Sequence, residues 1–123
     1  MCAIVLAALL VASPALGQGA SGRQAITTLY KTVPELLAAR VCGFRDRAWF
    51  DKQMSRIQAE AHAIADRSLA DFDNDPSDAN EFISGAQDQA VADGTAENNR
   101  FRQAACQALM DGGRLPVLDG LLK

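Results

Sequence analysis

From Asp46 to Phe72 the chain carries an unbroken helical pattern, and that stretch limits the fold more than any other. Phe50, Met54, Ile57, Ala61, Ile64 and Phe72 recur at steps of four, three, four, three and eight, which lines them along one face of an α-helix. Asp46 stands where a side-chain oxygen takes up free N–H groups of the first turn, and Asp51 lies near the positive end of the helix dipole. Asp73-Asn74-Asp75-Pro76 then supplies turn formers and a proline that stop the helix. A central helix over 46–72 is the expectation, with shorter pieces packed on it.

Those pieces are legible from their punctuation. Ile26, Leu29, Tyr30 and Val33 recur at helical spacing from Arg23 onward. Thr32-Val33-Pro34-Glu35 reads as a capping box with proline in the first turn, where its missing N–H costs nothing. A second helix therefore starts at Val33, carries Leu36, Leu37, Val41 and Phe44, and ends near Gly43. Asp75-Pro76 caps a third, through Phe82, Ile83, Ala86 and Ala90, weakened by Gly85 and closed near Gly94. Thr95 with Asn98 caps another, bearing Phe101, Ala105, Ala108 and Leu109, which Gly112-Gly113 ends. Leu115, Leu118 and Leu122 mark a short last helix with Pro116 in its first turn. No segment alternates with period two for the length of a strand. The fold class is all-α, a small irregular bundle around one long helix.

The first seventeen residues read differently. Ala3 to Ala12 is almost wholly apolar, the length of a signal-peptide core and short of the roughly 20 residues a bilayer span needs. Ala15 and Gly17 are small residues where a signal peptidase reads, so cleavage is expected after Gly17. No Lys or Arg precedes the apolar run, so the signal is atypical or starts upstream; an uncleaved anchor is the alternative. Residues 18–22 are expected to be a flexible polar N-terminus, and residues 23–123 a single helical domain. Cleavage removes Cys2 and leaves Cys42 and Cys106, an even pair that in an exported protein reads as a disulfide. Their separation of 64 positions corresponds to about 4 kcal/mol in the chain-entropy picture.

A net charge of −3, with basic residues scattered from Arg23 to Lys123, gives no footprint for nucleic acid. No cofactor is indicated. No transmembrane span is expected in the mature chain, and a periplasmic or secreted location follows from the leader.

Four groups of residues invite a chemical reading. Asp71, Asp73 and Asp75 alternate as in the first half of a calcium loop, but the sixth position is Pro76 and the twelfth Phe82, so the turn reads rather as a helix end followed by an acidic start. His62, the single histidine, lies one turn before Asp66 and is open to pairing with it; metal or catalytic use needs ligands brought from elsewhere. Trp49 with Arg45 and Arg47 forms an aromatic and cationic group, read either as a surface anchor or as core with the indole on the disulfide. Cys42 and Cys106 lack the adjacent histidine or Cys-x-x-Cys spacing of a reactive thiol.

Val41-Cys42-Gly43, then Trp49 and Met54, then Cys106 and Ala108 before a glycine-bearing turn, resemble a group of small exported alphaproteobacterial proteins with two cysteines and a helical plan. The resemblance implies a bridged helical fold and assigns no activity. In plan alone the chain is also similar to periplasmic acid-stress chaperones of the HdeA type. The functional expectation is a non-enzymatic binding or interaction protein in envelope upkeep, with a protein partner or client. The alternatives are an acid-activated chaperone, motivated by fifteen Asp and Glu against twelve Lys and Arg, and an enzyme or metal-binding protein using His62 or the aspartate turn.

Overall fold

A computed structural model describes residues 21–121 as helices joined by short turns, with no strand among the described residues. The expected signal peptide (1–17), Cys2, residues 18–20 and Leu122 lie outside them. The helices are α1 (Ser21–Tyr30), α2 (Val33–Val41), α3 (Arg47–Arg67), α4 (Pro76–Asp111) and α5 (Arg114–Asp119), with a 3-10 turn at Leu69–Phe72 between α3 and α4.

α3 is the expected central helix, shortened at its far end. Its cap forms as the sequence suggests: Asp46 is extended and accepts the Trp49 backbone N–H at 2.9 Å. Phe50, Met54, Ile57, Ala61 and Ala65 are buried along one face. At Ser68 the backbone leaves helical geometry and the hydroxyl donates to the Ile64 carbonyl, the local competition for backbone acceptors that serine brings to a helix end. The chain tightens into the 3-10 turn, and Phe72 reaches the core from there, fully buried.

The longest helix is α4, with 36 residues. Asp75 caps it by accepting the Ser77 N–H at 2.9 Å, and Pro76 occupies its first turn. The break expected at Gly94 is absent, because this glycine serves close packing instead of termination. A Cβ there would lie 2.8 Å from Leu37 Cδ1 and 3.1 Å from Pro34 Cα. Thr95 and Asn98 are accordingly interior helix positions and cap nothing. The interruption falls instead at Phe101, where φ is −128° and ψ 32° and the backbone leaves helical geometry in a kink that divides α4 in two. Phe101, expected on a buried face, is 54% exposed, and Val41 is exposed as well.

α2 lies along the second half of α4 in a constant register. Asn98 Nδ2 donates to the Pro34 carbonyl across 64 positions, and the Cys42–Cys106 disulfide spans the same 64 with Cα atoms 5.8 Å apart. Equal offsets at both places mean the two helices run parallel. The capping box expected at Thr32 and Glu35 does not form. Thr32 is helical, its hydroxyl donates back to the Leu29 carbonyl, and Glu35 is taken by Arg114 at 2.8 Å through both carboxylate oxygens.

At the other end Gly113 takes the left-handed conformation (φ 59°) that reverses the chain into α5. Leu118 plugs the core with no exposed surface. Ile26, Val33, Leu36, Ile57, Phe72 and Ile83 complete the fully buried set, each worth about 1.5–3 kcal/mol of apolar burial. Ser21 and Gly22, expected in a flexible terminus, belong to α1. Gly22 donates its N–H to Asp71 Oδ2 at 2.9 Å, and Arg23 stacks over the rings of Phe72 and Phe82 at 4.7 and 5.1 Å. Among the described residues no helix is long and apolar enough to cross a membrane.

Candidate binding groove

α1 and the start of α2 stand beside the first half of α4 without closing on it. Between them runs a groove of about 560 Å³, within the size range of small-ligand pockets. Thr27, Tyr30, Lys31 and Pro34 form one wall, and the other is a single stripe of α4: Glu81, Phe82, Gly85, Ala86, Gln89, Ala90 and Asp93. The sequence places Phe82, Ile83, Ala86 and Ala90 on one apolar face. The structure divides them: Ile83 is 2% exposed in the core, whereas Phe82, Ala86 and Ala90 are half-buried along the groove. The apolar surface of α4 is thus wider than the helices that cover it.

Gly85 is the least expected member of this lining. Glycine inside a helix costs about 0.5–1 kcal/mol relative to alanine, and the fold gives no return, since a Cβ at Gly85 meets no atom within 4 Å. Gly22 and Gly94 differ, being hemmed in by Asp71 with Ser68 and by Leu37 with Pro34. Gly85 combines that open Cβ position with a place in the groove lining.

The floor is polar at one point. Tyr30 is 2% exposed, and its hydroxyl donates to Gln87 Oε1 at 3.2 Å. Burial raises the Tyr30 phenol above its ordinary range, so the group stays neutral at physiological pH.

A second cavity of about 220 Å³ lies between α2, α4 and α5, bounded by Pro34, Ala38, Asn98 and Leu109 and by the Glu35–Arg114 pair. Asn98 is 3% exposed, with Nδ2 shared between the Gly94 and Pro34 carbonyls and Oδ1 buried without a partner among the described residues.

The sequence-derived candidates fall elsewhere. Asp71 accepts from Gly22, Asp73 holds a left-handed turn position at φ 55°, and Asp75 caps α4. Each serves the chain reversal. Among the described residues no group of three or more His, Cys, Asp and Glu is arranged to hold a metal ion. His62 is half-buried on α3 and Asp66 exposed; among the described residues no ion pair joins them, and neither lines the groove or the second cavity.

Trp49 is half-buried, packed against the core, with its indole N–H donated to Asp119 at 2.8 Å. Arg45 grips the same carboxylate through Nε and Nη2 at 3.0 and 2.8 Å, and that bond raises its guanidinium pKa. These two candidates therefore clamp α5 to the start of α3. Arg47 is exposed, 3.7 Å from Asp51. The groove was not legible as a site: its one sequence signal is Gly85 inside an otherwise helical run.

Compared with known proteins, the chain matches no protein-family model, no curated protein and no solved structure.

Proposed function

We propose that this chain is a non-enzymatic binding protein of the bacterial envelope, exported to the periplasm, which holds an apolar ligand or an apolar segment of a partner in the groove between α1, α2 and α4. The observation that carries the reading is Gly85: a mid-helix glycine in the groove lining whose Cβ position meets no atom of the described residues within 4 Å, so that no packing contact of the fold requires it. The half-buried Phe82, Ala86 and Ala90 beside it offer apolar surface, and the disulfide, together with the clamp on α5, favours a scaffold that survives outside the cytoplasm.

The test uses a neutral environment-sensitive dye, N-phenyl-1-naphthylamine, with the oxidised protein and with Gly85→Leu. Leucine is a good helix former and its Cβ has open space there, and circular dichroism and Tm check that the variant keeps the fold. Dye fluorescence is expected to rise with the wild type and to fall at least tenfold in binding strength with the variant. Equal binding by both proteins removes the groove from consideration. Mass spectrometry of the protein recovered from a periplasmic fraction tests the export, with a mature chain beginning at Gln18 as the expected result.

A second reading, an acid-activated chaperone, draws on the attachment of α5. Two arginine–carboxylate pairs hold it, Arg45–Asp119 and Arg114–Glu35. Strong acid removes negative charge from the fifteen Asp and Glu of the chain and so works against arginine–carboxylate attachment, while the disulfide keeps the chain tethered. Loss of near-UV circular dichroism at about pH 2, with suppression of client aggregation, is the expected behaviour; a native spectrum at that pH rejects it.

A further inference from the structure

We infer that the occupant of the groove is a basic amphipathic helix of a partner protein. The inference rests on the groove being a binding site and adds the chemistry of what fills it.

Shape comes first. The α4 stripe from Glu81 to Asp93 extends about 18 Å at 1.5 Å per residue, a little over three turns. Its centre is Gly85, Ala86 and Ala90, small enough for another helix backbone to approach closely, while Phe82 and Tyr30 give broader apolar contacts. A helix of three to four turns fits such a trough by ridges-into-grooves packing.

Charge selects among such helices. Over residues 76–99, α4 carries Asp78, Glu81, Asp88, Asp93 and Glu97 and neither Lys nor Arg. Asp78 is matched by Arg23 at 3.7 Å. Among the described residues the ion pairs include none of the other four. Glu81 and Asp93 stand at the two ends of the stripe, and Gln89 Nε2 donates to Asp93 at 2.8 Å, which fixes the carboxylate without neutralising it. Among the described residues the opposite wall contributes Lys31 to the lining, and Arg23, 5.1 Å from the Phe82 ring, is engaged by Asp78. The groove is therefore apolar along its middle and anionic at both ends. Its complement is a helix with an apolar stripe between Lys or Arg residues about three turns apart. A fatty-acid or phosphatidylglycerol headgroup is anionic and meets the wrong sign at either end.

The test is fluorescence anisotropy with the full oxidised protein and three labelled 18-residue synthetic helices. They share one Leu/Ala face and carry Lys, Gln or Glu on the other. The Lys helix is expected to bind at least tenfold more tightly than the Gln helix, to weaken between 50 and 300 mM NaCl, and to be blocked by Gly85→Leu. The double variant Glu81→Lys/Asp93→Lys is expected to reverse the order, favouring the Glu helix over the Lys helix. Equal binding of all three helices overturns the charge selection while leaving an apolar groove. Dye binding without helix binding, or binding only of phosphatidylglycerol vesicles, overturns the helix as occupant and leaves the site standing. Failure of dye and helices together overturns both readings.

Discussion

Trp49 donates its indole N–H to Asp119 at 2.8 Å, joining residues 70 positions apart. The same carboxylate holds Arg45 through two nitrogens, so one side chain on α5 fastens it to the first turn of α3 and to Arg45, two residues before that helix. Asp119→Ala leaves the indole N–H and the guanidinium without this partner. Because the group is partly exposed, water replaces some of what is lost, and the expected cost is about 1–2 kcal/mol. Urea unfolding measures it. Trp49 is the single tryptophan, so its emission is expected to shift to the red in the same variant.

Two glycines of one helix are expected to respond oppositely to alanine. Gly85→Ala adds a methyl group to open space and removes a flexible residue from a helix interior, so it stabilises by about 0.5–1 kcal/mol. Gly94→Ala drives a Cβ against Leu37 and the backbone of Pro34. It is expected to destabilise by about 1–3 kcal/mol as α2 is pushed away from α4. Paired thermal melts read both.

Reducing the disulfide, or replacing it by Cys42→Ser with Cys106→Ser, is expected to lower stability by about 4 kcal/mol through the freedom regained by the unfolded chain. The midpoint of urea unfolding with and without reductant is the measurement, and the helical circular dichroism of the reduced protein at low urea shows whether the remaining contacts suffice.

Tyr30 sets an alkaline limit. Burial raises its phenol above the ordinary value of about 10, so on raising the pH the unfolded chain loses this proton before the folded one. The contribution of Tyr30 is complete below about pH 10 and declines as the pH climbs toward the folded value. Tyr30 is the single tyrosine, which lets absorbance near 295 nm follow it directly. Tyr30→Phe is expected to flatten the stability profile above pH 10 relative to wild type, and to cost about 0.5–1.5 kcal/mol at neutral pH for the bond to Gln87. Arg45 and Arg114, whose guanidinium pKa values are raised by Asp119 and Glu35, stay charged throughout that window.

Local rules predicted what local chemistry decides. Asp46 and Asp75 cap the helices they precede, Pro76 opens α4, and the Phe50–Ala61 face is buried. The pairing of Cys42 with Cys106 was likewise legible from an even count in a chain read as exported. Where the sequence misled, a distant partner decided. Glu35 belongs to Arg114 instead of the Thr32 cap, and Gly94 and Asn98 answer to Pro34 instead of ending and starting helices. Two glycines of one helix look alike in sequence, and only the neighbours of each show that one is packing and the other an opening.

The common offset of 64 positions at the Asn98–Pro34 bond and at the disulfide has a kinetic meaning. A reduced chain must bring α2 and the far half of α4 together across that whole interval before either helix rewards the other, and the search slows as separation grows. An oxidised chain starts with the two partners joined and already set in their final offset. The pairing of α2 with the far half of α4 then behaves as a neighbouring one, so that part of refolding reduces to zipping α2 along α4 away from the bridge.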